Sequence, residues 1–149
     1  MSTFDGSVTF ENAVDSAAVG LPVDLTVNAG GTDKKIAIFR PVGATNQLRT
    51  VTLSSGSIDL SAGSISTTGL QTYSNATAIG RTDLTLATGG VLFGSTLDSK
   101  SAENTKRSLT VNTGTSTADT RFTGAVGSIL GLDSLTLNGN GAAFFAGGA

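Results

Sequence analysis

The sequence predicts an all-β fold, a parallel β-solenoid of about five coils, and three recurring features predict it. A Leu/Val-Thr-aliphatic triplet appears as Leu25-Thr26-Val27, Val51-Thr52-Leu53, Leu84-Thr85-Leu86, Leu109-Thr110-Val111 and Leu135-Thr136-Leu137, at near-constant intervals apart from one longer step between Thr52 and Thr85. Four residues after each threonine stands Gly30, Gly56, Gly89, Gly114 or Asn140, types that tolerate the positive φ of a sharp turn. An aromatic-led segment precedes each triplet, starting at Phe10, Phe39, Tyr73, Phe93 and Phe122, and a sixth starts at Phe144 or Phe145. A unit of this length cannot bury its own apolar side, whereas stacked copies can.

The longer step contains Ser57-Ile58-Asp59-Leu60-Ser61-Ala62-Gly63, an echo of the segment before it. Treating 57–63 as a seven-residue insertion restores a repeat of about 26 residues throughout. In each triplet, alternation turns the aliphatics inward and leaves Thr26, Thr52, Thr85, Thr110 and Thr136 as one outward ladder. Gly30, Gly56, Gly89, Gly114 and Asn140 then mark one corner used five times. Phe10, Phe39, Tyr73, Phe93 and Phe122 form an interior or near-interior aromatic column. The polar run from Asp98 to Ser108 predicts a protruding loop or short helical turn, which also offers a contact for a partner. No domain boundary shows, so 1–149 reads as a single solenoid domain. The alternative is an antiparallel β-sandwich or jelly roll, which explains short strands but gives no reason for a corner glycine at fixed period.

Composition supports a folded, β-rich chain. Small and β-branched residues dominate, only 13% of residues are charged, and mean hydropathy is positive. A net charge of −2 with scattered basic residues offers no footprint for nucleic acid. No apolar run approaches a membrane span. The chain has no cysteine and no histidine, which removes disulfides, thiol chemistry, Ser-His-Asp catalysis and the commonest zinc sites. Neither a Walker motif nor a dinucleotide fingerprint occurs. Asp24 and Asp83 each precede a threonine by two residues and would share a column roughly 9–10 Å apart, at or beyond the inverting-glycosidase spacing. Solvated surface aspartates are the simpler reading. No enzyme and no cofactor is expected.

The copy from Phe122 to Asn138, Phe-Thr-Gly-Ala-Val-Gly-Ser-Ile-Leu-Gly-Leu-Asp-Ser-Leu-Thr-Leu-Asn, resembles a repeat of large secreted bacterial proteins. These are the filamentous-haemagglutinin-like and autotransporter-like adhesins. The other copies depart from it, with Asn12, Pro41, Asn75 and Ser95 where this copy has Gly124. The resemblance implies a β-helix, a surface or extracellular location and an adhesive or structural use, with no catalytic residues to carry over. The N-terminal residues lack a basic region and an apolar stretch, so an export signal is expected to be absent or removed.

Neither end reads as a polar cap. The sequence enters strand pattern at Val8-Thr9-Phe10, and the uncharged run from Ala142 breaks off inside a sixth repeat. The expectation is a structural subunit of an extracellular or cell-surface bacterial filament or sheath. Copies would assemble head to tail through Val8, Phe10, Ala142, Phe144 and Phe145, a contact that does not close. The alternative is a binding module. It would be an adhesin fragment recognising glycan or a host surface, or an ice-binding solenoid using the threonine ladder.

Overall fold

The computed structural model describes residues 6–147. In chain order, the first turn carries β1 (Val8–Phe10) and β2 (Asp24–Asn28), and the second carries β3 (Lys35–Ile38) and β4 (Thr50–Ser54). The third holds β5 (Ser57–Leu60), β6 (Ser64–Ser66) and β7 (Leu70–Tyr73); the fourth holds β8 (Thr77–Ile79), β9 (Leu84–Ala87) and β10 (Gly90–Phe93). The fifth holds β11 (Leu97–Ser99), a 3-10 turn (Ser101–Glu103), β12 (Ser108–Gly114) and β13 (Thr120–Phe122), before β14 (Ser134–Gly139) and β15 (Ala143–Phe145).

These strands stack into three sheets, the faces of a parallel β-solenoid of about five turns. The first face runs β1-β3-β5-β8-β11, the second β6-β9-β12-β14, and the third β15-β13-β10-β7-β4-β2. Single parallel bridges, Val14 to Val42 and Val42 to Ile65, carry the second face back to the first turn, and Leu97 to Val126 carries the first face forward. Every strand pairing is parallel, so the antiparallel sandwich is excluded.

The repeat is about 23 residues, shorter than the sequence period suggests, and it varies. Along the third face Thr26, Thr52, Thr72, Leu92, Arg121 and Phe144 are in register. The turn from Leu92 to Arg121 is the longest of this series, and the two between Thr52 and Leu92 are the shortest. The variation sits in the corners, where loops of any length are tolerated as long as the strands return to register.

The single threonine ladder is corrected. Thr26 and Thr52 lie on the third face, followed there by Thr72, whereas Ser64, Thr85, Thr110 and Thr136 align on the second. The long step from Thr52 to Thr85 is therefore a change of face. The chain passes from Thr52 to Ser64 on the neighbouring face, and one further turn leads from Ser64 to Thr85. The segment read as an insertion begins with β5, an interior strand of the first face paired with β3 on one side and β8 on the other.

The single corner divides in the same way. Gly30 and Gly56 follow third-face strands, while Gly89, Gly114 and Asn140 sit where the second face ends. Of these five, positive φ occurs only at Gly114 (59°); beside Gly30 it falls on Gly31 (92°). Gly56 is required for a different reason, since a Cβ there would lie 2.0 Å from the Thr32 carbonyl oxygen of the turn before.

Strand alternation builds the core as expected. Val51, Leu53, Leu84, Leu86, Leu109 and Val111 are buried, and the threonines between them are half-buried on the outside. On the third face Val27, Leu53, Tyr73, Phe93, Phe122 and Phe145 form one inward column. Its four rings stack nearly parallel at 5.1, 5.3 and 4.7 Å between centroids, close to the rung spacing of ~4.8 Å. Phe10 and Phe39 do not join it. Phe10 lies on the first face opposite Ile38, and Phe39 lies at the following corner, 5.2 Å beneath the Arg81 guanidinium.

Candidate functional site

The residues expected to form an assembly contact fall at two opposite edges. At one edge Val8 and Phe10 belong to β1, and Val14, Leu25 and Val27 extend the same rung; all five pack partly buried against the core. At the other edge, β15 is exposed at all three residues and β14 at four of its six. The Ala142 carbonyl accepts a 2.9 Å hydrogen bond from the Thr120 amide, which seats β15 on β13. Phe144 points outward beneath the Arg121 guanidinium at 4.7 Å and is 47% exposed. Phe145 lies on the inward column, covered by Phe122 on one side, and is still 56% exposed. Among the described residues no strand stacks on the far side of β15, which is why this core-facing ring is exposed.

Val8 and Phe10 are on the first face and Phe144 and Phe145 on the third, so the two sets would not meet in a stacked pair. β2 and β15 are the two outer strands of the third face, while the Val14 bridge and β14 are the two extremes of the second. Val27 and Phe145 are the opposite ends of the inward column.

The outward surfaces carry charge in tight, local pairs. Asp59 projects from β5 yet is only 2% exposed, because Lys35 Nζ (2.8 Å) and Lys100 Nζ (2.9 Å) cover Oδ2 while Ser61 Oγ donates to Oδ1 at 2.6 Å. Burial pushes its carboxyl up, but the hydrogen bonds from Lys35, Ser61 and Lys100 outweigh this and hold it below the ordinary aspartate value. Asp24 accepts from Arg49 Nε (2.8 Å), from Arg49 Nη2 and from Thr50 Oγ1 (2.7 Å). These bonds, Arg49 first, lower its carboxyl to about 2.

Asp83 lies just before β9 on the second face, away from Asp24, and accepts from the Ser108 amide at 2.9 Å. The shared carboxylate column is not formed. Among the described residues no three acidic, histidine or cysteine side chains gather in a metal-sized group.

Inside the coil a polar set goes unannounced by any motif. Gln71 is fully buried and its Nε2 donates to Thr67 Oγ1 (3.1 Å) and to the Ile65 and Ala87 carbonyls (3.2 Å each), while Tyr73 OH donates to Gln71 Oε1 at 2.8 Å. Burial pushes the Tyr73 phenol well up, so it remains a donor. Gln71 thereby ties β6 to the strand stacked on it.

Compared with protein-family models, curated proteins and solved structures, the chain matches none.

Proposed function

We infer that the protein is a structural subunit whose copies stack end to end into a filament or sheath outside the bacterial cell or at its surface. The resemblance of Phe122–Asn138 to secreted bacterial adhesin repeats supports the location and the non-catalytic use. The observation that carries the reading is the open rung at β15, where Phe145 continues a core column yet is 56% exposed.

Magnitudes decide how such a contact must be built. Burying the exposed halves of Phe144 and Phe145 contributes about 1 kcal/mol each. Association costs at least about 4 kcal/mol and often more than twice that. Two side chains are therefore insufficient. Stability must come from a whole rung of parallel pairing on three faces, with the phenylalanines as anchors and backbone hydrogen bonds setting the register. Because opposite edges of one chain meet, the contact is heterologous and propagates.

Electron microscopy of the purified protein tests this reading. Filaments are expected for the native chain, and Phe145→Lys or deletion of 142–149 is expected to give a folded monomer. Unchanged filaments in those variants reject it. A second reading rests on the outward second face, where Ser64, Thr85, Thr110 and Thr136 flank Ser66, Ala87, Asn112 and Asn138 without a charge. A monodisperse monomer showing thermal hysteresis would favour ice binding there. A monomer that binds a glycan or host surface through its corner loops would favour an adhesin fragment.

A further inference from the structure

We propose that the corner between the first and second faces is a binding site for an acidic sugar, with Arg40 and Arg81 taking its oxyanion. A groove of about 410 Å³ runs along this corner, lined by Glu11, Phe39, Arg40, Ser61, Arg81 and Thr82. The six come from four successive turns, Glu11 just after β1, Phe39 and Arg40 after β3, Ser61 after β5, and Arg81 and Thr82 after β8. The third turn rounds the corner on the small residues Ser61, Ala62 and Gly63, so a depression separates the turns that bear the two arginines.

Arg81 lines the groove against an aromatic ring. Its guanidinium carbon stands over the Phe39 ring, 5.2 Å from the ring centre, a cation–π contact. That contact uses no carboxylate of the chain, so the guanidinium keeps donors for a carboxylate or sulfate. Arg49, Arg107 and Arg121 are each spent on a carboxylate of the chain itself. Arg40 and Arg81 have no such carboxylate among the described residues, and Arg81 meets the Phe39 ring instead.

The nearby Asp59 carboxylate is no competitor, because Lys35, Lys100 and Ser61 occupy both its oxygens. Glu11 is the single acidic side chain of the six, which leaves the groove one positive charge in excess and supplies an acceptor for a sugar hydroxyl. Thr82 adds a hydroxyl. Two cations for one acid group, with neutral and acceptor groups beside them, match a sugar ring bearing a carboxylate or a sulfate. The site is on a lateral corner, so it does not depend on end-to-end stacking.

The test is titration calorimetry with a galacturonic acid hexamer, a sulfated hexasaccharide, neutral maltohexaose and inorganic sulfate. Binding of either acidic oligosaccharide, without binding of maltohexaose, is the expected result, and the one that binds identifies the acid. Arg40→Gln and Arg81→Gln should each weaken it by about tenfold, the scale of one charge-assisted contact. Phe39→Leu should weaken it while leaving both charges in place, which marks Phe39 as a positioning residue. Arg121→Gln removes the same charge on the third face and should change nothing. Circular dichroism and an unchanged thermal midpoint establish that each variant is folded. Failure of both acidic ligands to bind overturns the proposal. So does an affinity that falls equally in Arg121→Gln, or one matched by maltohexaose or inorganic sulfate.

Discussion

Asp59 ties the first face to the loop that follows β11, since Lys35 belongs to β3 and Lys100 to that loop. Its carboxyl is held below the ordinary aspartate value, so the unfolded chain binds a proton at higher pH than the folded one. The stabilisation is complete above about pH 5, where the unfolded aspartate is almost fully ionised, and is lost as pH falls through the folded value. Asp59→Asn should therefore cost about 2 kcal/mol at pH 7 and reduce the loss of stability on going to pH 3, measured by urea unfolding at both values. The discount from a fully buried pair reflects Lys35, whose side chain is 42% exposed. Two glycines separate steric from conformational cost. Gly56→Ala drives a methyl into the Thr32 carbonyl and should destabilise by about 3 kcal/mol. Gly114→Ala meets open space and bears only the strain of φ 59°, about 1 kcal/mol. Equal losses in thermal or urea unfolding would contradict this assignment.

At the scale of elements, the aromatic column is the most sequence-legible part of the core and also shows where legibility stops. Tyr73, Phe93 and Phe122 stack as the spacing of aromatic-led segments predicts. Phe39 does not, because it follows β3 at a corner, and a period cannot tell a residue inside a strand from one just beyond it. The same ambiguity hid the change of face between Thr52 and Thr85. Leu-Thr-Leu is what any face of a solenoid selects, with aliphatics in and a β-branched polar residue out, so the triplet reports a strand without reporting which one. Gln71 and Asp59 were invisible for another reason, since each acquires partners from other turns of the coil that no local pattern links. The column makes its own prediction. Phe122 is stacked on both sides and 1% exposed, so Phe122→Ala should cost about 3–5 kcal/mol. Phe145→Ala, on the open rung, should cost about 1 kcal/mol in the monomer. Chemical denaturation of dilute protein checks both.

For the whole molecule, a parallel solenoid has no closing surface of its own. Its third face holds six rungs, and the inward column passes through all of them from Val27 to Phe145. The architecture was readable from repetition. Which face each outermost strand belongs to was not, because that depends on the order of faces around the coil: β15 shares a face with β2, whereas the sequence grouped its phenylalanines with Val8 and Phe10. Stacking with register kept gives each copy six rungs at ~4.8 Å, an axial advance of about 29 Å. Helical reconstruction of filaments by cryo-electron microscopy measures that advance directly. The predicted result is one subunit for every six rungs of the cross-strand spacing, with β2 of one copy on β15 of the next. Filaments whose subunits meet through lateral faces, or a chain that remains monomeric at every concentration, would contradict it.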